Sequence, residues 1–416
     1  MRAPLLTLAW KSLLNRGLSV GLTILAIVLS VTLYLGVEKI RSGVRDSFNS
    51  TISDTDLIVG ARGGSLNLLL YSVFRLGDPT ANMGWDSYEL VASAPNVEWA
   101  VPISLGDSHR GYRVVGTTAD YFQHYRYGRS RPLELATGRA FNGLHEVVLG
   151  AEVARLLAYQ IGDEVVLSHG VGEVSFADHS GHDFAVVGVL APTGTPVDRS
   201  LHVSLESIEA IHIGWDTGMA TRADPGEDAD ALTPDSVTAV LVGVNSPIRV
   251  LGLQRQINTY GGEALTAIMP GVALSQLWEV IGAAETAFTA ISLLVITVGL
   301  FGILTALTSG LNERRREMAV LRATGARPSD IFGLLVLEAS SIAAAGAIIG
   351  IIITQVGFAL VSGAVRSQYG LDLGGGFGLS EMSVLVAVTL AGALLGAWPA
   401  WRAQRNALAD GLSIRL

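Results

Sequence analysis

Four uncharged apolar runs, separated by segments of very different character, set the pattern of this chain. Leu18–Val37 carries 20 residues without a charge, roughly 30 Å as a helix and about one bilayer core. Thr286–Leu311, Ala339–Val365 and Met382–Trp401 are likewise uncharged. The pattern predicts transmembrane helices over 18–37, 286–311, 334–365 and 382–401. Residues 1–17 set Arg2, Lys11 and Arg16 among leucines and Trp10, as in a short amphipathic helix lying on the inner membrane surface. The first run exceeds the length usual for a signal-peptide core, and no A-x-A-like site follows it, so it reads as an uncleaved anchor with its N-terminus inside.

Between the first two spans, residues 38–272 have the alternation and Gly/Asp/Asn/Pro punctuation of a mixed α/β domain. Strands are expected at Arg113–Gly116, Glu146–Leu149, Glu164–Leu167, Phe184–Leu190 and Val237–Val244. Helices are expected at Ala151–Tyr159, Leu205–Ile211 and Ile248–Thr259. Residues 216–236, acidic and without apolar periodicity, read as a mobile loop. After Pro270 and Gly271, the spacing of Leu274, Leu277, Val280, Ile281 and Ala284 predicts a stalk helix over 273–285. No breaker separates it from the second span, so one helix is expected from about 273 to 311. Residues 366–381 read as a short external loop and 402–416 as an internal tail. Gly346-x-x-x-Gly350 and Gly392-x-x-x-Gly396 place small residues one turn apart in spans three and four, which permits close helix approach in lipid.

Charge fixes the orientation. Residues 38–285 hold 30 acidic and 16 basic residues, and the remainder holds 7 acidic and 12 basic. An acidic middle between basic, membrane-anchored ends fits a domain on the outer face with both termini in the cytoplasm. It argues against nucleic acid as a partner. There are no cysteines, which excludes disulfides and thiolate chemistry.

Candidate chemistry within the chain is sparse. Its two lysines, Lys11 and Lys39, do not follow glycine-rich turns, so there is no P-loop to hold a nucleotide. No G-x-S-x-G elbow and no H-E-x-x-H pair is present, and no catalytic residue or cofactor site is assigned. Glu338, inside an apolar stretch, is either satisfied by an arginine such as Arg322 or Arg327 near the cytoplasmic interface or belongs to an ion path. His169, His179, His182, His202 and His212 lie close in sequence. His179-x-x-His182 has a ligand-like spacing, so the first four are weak candidates for zinc against a reading as incidental polar residues. The connector between spans two and three stands out: Glu313, Arg314, Arg315, Arg316 and Glu317 lead through Leu321 and Arg322 to Gly325, a natural helix C-cap. Its basic residues mark the cytoplasmic side, and its Met318, Val320 and Leu321 stripe suits docking into a partner's groove.

These stretches resemble the FtsX/MacB/LolC-type permeases of ABC transporters, the mechanotransmitter class. ERRREMAVLRATGA over 313–326 is similar to the family's E-R-x-x-E-I-G-x-x-x-A-x-G-A connector, with Ala319 where the family usually has Gly. Leu337-Glu338-Ala339 with Gly346 and Gly350 resembles its third-span opening, and Pro399-Ala400-Trp401-Arg402-Ala403 its closing motif. Val115-Gly116-Thr117, Asp120-Tyr121-Phe122, Gly138–Phe141, Val148–Gly150, Gly162-Asp163 and Val186–Val189 resemble the family's periplasmic core domain. The resemblance implies an inner-membrane permease with four transmembrane helices and a MacB-like periplasmic domain inserted between the first two. It implies a homodimer or heterodimer with a second permease, working with two copies of an ATPase subunit that binds ATP. Residues 312–333 would be the coupling segment, and the work would be done on a lipoprotein, peptide or other envelope substrate. Activation of a periplasmic cell-wall hydrolase, and an envelope task linked to zinc, are the alternatives.

Overall fold

The computed structural model describes residues 17–169, 183–212, 232–323, 325–369 and 376–406. The chain divides into a helical unit, built from 1–43, 282–364 and 373–416, and a mixed unit, built from 44–281 and 365–372.

In chain order, α1 (Gly17–Thr51) leads into β1 (Leu57–Ala61), α2 (Ser65–Ser72), β2 (Met83–Gly84), α3 (Trp85–Ala92), β3 (Val97–His109), β4 (Tyr112–Thr117) and α4 (Asp120–His124). There follow β5 (Arg126–Tyr127), β6 (Arg131–Pro132), β7 (Leu135–Gly138), β8 (Glu146–Leu149), α5 (Ala151–Leu157), β9 (Glu164–Val165) and β10 (Ser168–His169). Then come β11 (Phe184–Leu190), β12 (Ser200–Ser204), α6 (Leu205–His212), β13 (Ser236–Val237), β14 (Ala239–Val244), α7 (Val250–Asn258) and β15 (Leu265–Ile268). Three long helices close the chain: α8 (Pro270–Ala323), α9 (Pro328–Tyr369) and α10 (Leu379–Asn406).

The mixed unit is built on one sheet in the order β15-β1-β14-β3-β4-β12-β8-β11-β7, with β10 added to β3 and β9 to β11. Two pairs, β4–β12 and β8–β11, are parallel, and the other pairings are antiparallel. β14 is buried at every position, which matches its nearly unbroken apolar sequence and a sheet covered on both faces. β11 instead alternates between buried and more open positions, as for a strand covered mainly on one face. Gly243 is required where β14 passes Trp99, because a Cβ there would lie 2.1 Å from the indole nitrogen.

Two expected strands are altered for visible reasons. The run from Glu164 is a strand only over Glu164–Val165, which pair with Ala185 and Phe184. Beyond it, the Val166 carbonyl meets His109 Nδ1 at 2.7 Å, and Ser168 and His169 cross to pair with β3. The run from Val237 breaks at Thr238, where the chain leaves the small β2–β13 ribbon for the main sheet. Thr238 is fully buried at this corner: its amide donates to Ile103 O at 2.9 Å, and its hydroxyl accepts from Leu105 N at 3.0 Å. Of the segment expected as a loop over 216–236, residues 216–231 lie outside the described residues, and Leu232 is buried.

Among the described residues, four helices are long and apolar enough to cross a membrane, with candidate spans Val20–Asp46, Pro270–Gly302, Pro328–Val365 and Leu379–Arg402. In the helical unit, α1 offers Ile27, Val31 and Leu35, one turn apart and almost fully buried, to Ala339, Ala343 and Ala347 of α9. Alanine and glycine let the backbones approach. A Cβ at Gly346 would fall 2.7 Å from Ile27 Cγ2, and one at Gly350 would fall 2.9 Å from Val31 Cβ. The Gly346/Gly350 pair therefore lies at a helix–helix contact, and Thr32 donates to Gly350 O at 3.3 Å across it. Gly392 and Gly396 are buried as well. On another side of α1, Ser30 donates to Val295 O of α8 at 3.1 Å.

Candidate functional site

The connector continues α8. The helix begins at Pro270, immediately after β15, and runs 54 residues to Ala323, about 80 Å at 1.5 Å per residue. Nothing between Leu311 and Ala323 breaks it, since that stretch lacks both Gly and Pro. Glu313, Arg314, Arg315, Arg316, Glu317 and Leu321 form its last turns, and their side chains lie outside what is described. Arg322 Nη1 is buried without a hydrogen-bond partner among the described residues. Gly325 takes φ +99°, a conformation that costs a glycine little, and its amide donates to Arg322 O at 3.1 Å.

The next helix starts three residues on, at Pro328, and its sequence explains why. Pro328 occupies the first helical position, where its missing N–H costs nothing. Asp330 reaches back to accept from Arg327 N at 2.8 Å, the reciprocal half of a capping box. Ile331 and Leu335, on the first turns of α9, pack against Ala400 in the closing motif of α10. Glu338, one turn further along, is 2% exposed and has an interaction partner. The connector's turn is thus held by helix caps and by packing between α9 and α10.

A second charged centre lies where α1 and α10 meet, and sequence reasoning missed it. Lys39 Nζ is 2.9 Å from Glu381 Oε1, with side chains 10% and 2% exposed. The ammonium also donates to Gly376 O at 3.0 Å. Gln355 of α9 donates to Glu381 Oε1 at 3.1 Å and to Gly376 O at 3.0 Å. Glu381 Oε2 accepts from Gly378 N at 2.8 Å and from Ser380 Oγ at 3.0 Å. Glu381 is therefore both the cap of α10 and the counter-ion of Lys39, and it ties three helices together. Nearby, Arg41 pairs with Glu38 at 2.8 Å and with Glu285 of α8 at 3.6 Å. The available signal was that Lys39 is one of only two lysines and ends a span, while Glu381 opens another.

Among the described residues, no group of three or more His, Cys, Asp or Glu side chains could hold a metal ion. His179 and His182 lie outside the described residues, and His169 is described only in its backbone pairing. His202 is fully buried, 5.3 Å from the Tyr121 ring and 5.9 Å from Phe122 between centroids. Burial, assisted by the charge of Arg75, pushes its imidazole down to about 3. His212 takes a different course. Burial opposes its charged form, but the neighbouring Asp107 carboxylate, 3.7 Å from Nε2, leaves its pKa raised.

Where the parallel strands β4 and β12 end side by side, a cleft of about 440 Å³ opens between Thr118, Phe141, Asn142, Ser204, Glu206 and Leu232. The carboxyl ends of neighbouring parallel strands are where α/β sheets commonly present ligand sites.

Comparison with known proteins agrees with this division of the chain. Residues 20–237 match the family model of the MacB-like periplasmic core domain, and residues 289–408 match that of the FtsX-like permease C-terminal. A Nitrosomonas europaea protein named "Macrolide export ATP-binding/permease protein MacB" is 22% identical over 406 residues, covering 95% of this chain and 57% of its own length. The Brucella abortus protein of the same name is 39% identical over 127 residues, which are 30% of this chain and 18% of that protein. The chain spans little more than half the length of the Nitrosomonas relative. The periplasmic region of MacB from Actinobacillus actinomycetemcomitans superposes with a TM-score of 0.35 at 11% identity, covering 55% of this chain and 94% of that one. With one model covering more than half of it and the second taking up the remaining helices, the chain belongs to the FtsX/MacB-type permeases, multi-pass membrane proteins that carry a periplasmic core domain.

Proposed function

We propose that this chain is the permease subunit of an ABC transporter of the inner membrane, working as a dimer of permeases. It passes ATP-driven motion from an ATPase partner to its periplasmic domain. The observation that supports this most directly is α8, a single helix joining the charged connector at 313–322 to the edge strand of the periplasmic sheet. A rod without a break transmits displacement of one end to the other, whereas two helices joined by a flexible turn would dissipate it. ATP is bound outside these residues, since the chain has no phosphate-binding loop and its relatives are named as ATP-binding proteins over a greater length.

The relatives are named for macrolide export, and the substrate here belongs to the same broad setting: a lipoprotein, peptide or other compound handled in the envelope. Coupling residues are Glu313, Arg314, Arg315, Arg316, Glu317, Leu321, Arg322 and Gly325. Arg316→Glu and Glu317→Arg should leave the protein inserted but abolish co-purification with the ATPase, or its stimulation by the permease. Stimulation equal to that of the unaltered protein in both variants would remove the connector from the coupling path.

A further inference from the structure

α8 joins the periplasmic sheet through a short chain link, since β15 ends at Ile268 and the helix begins at Pro270. A rod attached at one such link can swivel there, and displacement of its far end would be lost in the swivel. The first turns of α8 are not left so free. Ala273 and Leu274 are buried in the core of the periplasmic domain, and Leu277 packs against it. Val272, Ser275 and Glu279, on the opposite side of the helix, are exposed.

Trp278 carries the contact further along the rod. Its indole meets the Phe48 ring edge-on at 5.9 Å between centroids, and Phe48, near the end of α1, stacks on Phe74 at 4.2 Å. Phe74, in the loop after α2, is 5% exposed and belongs to the same core. The Arg45 guanidinium lies 5.9 Å from the indole centroid, within the range of attraction between a cation and a ring face. Gln276 Oε1 accepts from Ser65 Oγ of α2 at 3.0 Å. Side chains from α1, from α2 and from the loop after α2 therefore hold the start of α8, besides its chain link.

Position along the rod decides what such contacts can do. A contact at the link itself resists separation but not tilting. Trp278 lies about 12 Å along the helix from Pro270, at 1.5 Å per residue, and a contact there opposes tilting with that lever arm. Interlocked aromatic rings suit the task, because they hold preferred mutual geometries and packed side chains transmit strain. We propose that Trp278, set against Phe48 and so against Phe74, is a positioning residue that makes the first turns of α8 and the periplasmic domain one lever. It acts on neither nucleotide nor connector; it removes the swivel. The inference rests on the reading of α8 as the rod that carries ATP-driven motion, and names the joint where that motion is handed to the domain.

A chain without cysteine allows labels to be placed at will. Spin labels at Val280→Cys and Ile248→Cys, native positions 73% and 91% exposed, report the separation of α8 from the domain in the full chain by pulsed electron resonance. The unaltered joint should give one narrow distance distribution, and Trp278→Ala should lose it. Trp278→Phe keeps a ring against Phe48 and should restore it. In complex with the ATPase, a single label at Ile248→Cys reports the separation of the two periplasmic domains. ATP should change that separation in the unaltered protein and leave it unchanged in Trp278→Ala, while stimulation of the ATPase persists in both. A narrow distribution in Trp278→Ala, a broad one in Trp278→Phe, or a full response to ATP in Trp278→Ala would overturn the proposal. Absence of stimulation in the unaltered protein would instead count against the permease reading, and the distances within the free chain would still decide the joint.

Discussion

Two buried polar clusters of this protein, the Lys39–Glu381 pair and the His202–Tyr121 pair, deal with charge in opposite ways. In the helical unit, Lys39 and Glu381 neutralise each other, and their remaining hydrogen-bonding capacity is taken up by Gln355, Gly376, Gly378 and Ser380. In the periplasmic core, His202 is fully buried beside the Tyr121 ring, and burial disfavours its charged form. A closed network fixes geometry because every member depends on the others. A buried imidazole without a counter-ion is instead held neutral by desolvation. The first cluster is suited to holding helix ends in register, and the second resists protonation until acid reaches it.

The largest effect should come from opening the closed cluster. Lys39→Met leaves Glu381 buried and uncompensated, which for a buried pair costs about 3–5 kcal/mol. Removing both charges, as in Lys39→Met with Glu381→Gln, should recover most of that loss, because a matched apolar or neutral replacement is often neutral or better. Thermal unfolding of the purified single and double variants measures this directly. If the double variant is no more stable than Lys39→Met, the pair is not a coupled unit and the contrast with the periplasmic cluster fails.

How much of this was legible in the sequence follows from the range of each interaction. The spans were legible because lipid imposes a long uncharged run on consecutive residues. Strands such as Glu146–Leu149 and Phe184–Leu190 announced themselves through local apolar runs and punctuation. The close approach of Gly346 and Gly350 to α1 was written in their spacing, though the identity of the partner helix was not. Lys39 and Glu381 come from opposite ends of the chain, and nothing local to either names the other. His202 shows a different limit. Its proximity in sequence to His179 and His182 suggested a shared ligand set, but β12 is buried at all five positions, a burial that nothing in the local sequence announces. The connector motif was legible as a helix with a glycine cap. That it is the end of α8 follows from the absence of Gly and Pro before Gly325.

The second prediction tests the His202 cluster by acid. His202 has its pKa lowered to about 3 in the folded protein by burial, against about 6.5 when unfolded. The unfolded chain therefore binds the proton more readily, so stability is lost as pH falls below 6.5 and continues to fall toward 3. At pH 5 this one residue should cost about 2 kcal/mol relative to pH 7.5, at 1.36 kcal/mol per unit. His202→Phe retains an aromatic ring beside Tyr121 and should flatten the acid side of the stability profile. An unchanged slope in that variant would show that His202 is not what the acid reaches.

The smallest expected effect has the opposite sign and comes from a histidine only one helix away. His212 ends α6 with its Nδ1 2.7 Å from Ile208 O and Asp107 facing its Nε2. The folded protein holds its proton more tightly than the unfolded chain does, because the carboxylate outweighs the burial penalty. Its stabilising contribution is therefore complete below the unfolded value near 6.5 and disappears as pH rises through the raised folded value. The ring is about a third exposed, so solvent screening keeps this contribution small. His212→Gln should lower stability at pH 5.5 and leave it unchanged at pH 8.5, the reverse of the pattern for His202→Phe. Chemical denaturation at those two pH values distinguishes them. Equal losses at both would mean that His212 acts through packing, and that Asp107 is balanced by some other group. Two histidines on consecutive elements, β12 and α6, would then differ only in burial, and the contrast between a charge stabilised by its neighbour and one suppressed by burial would rest on Lys39 and His202 alone.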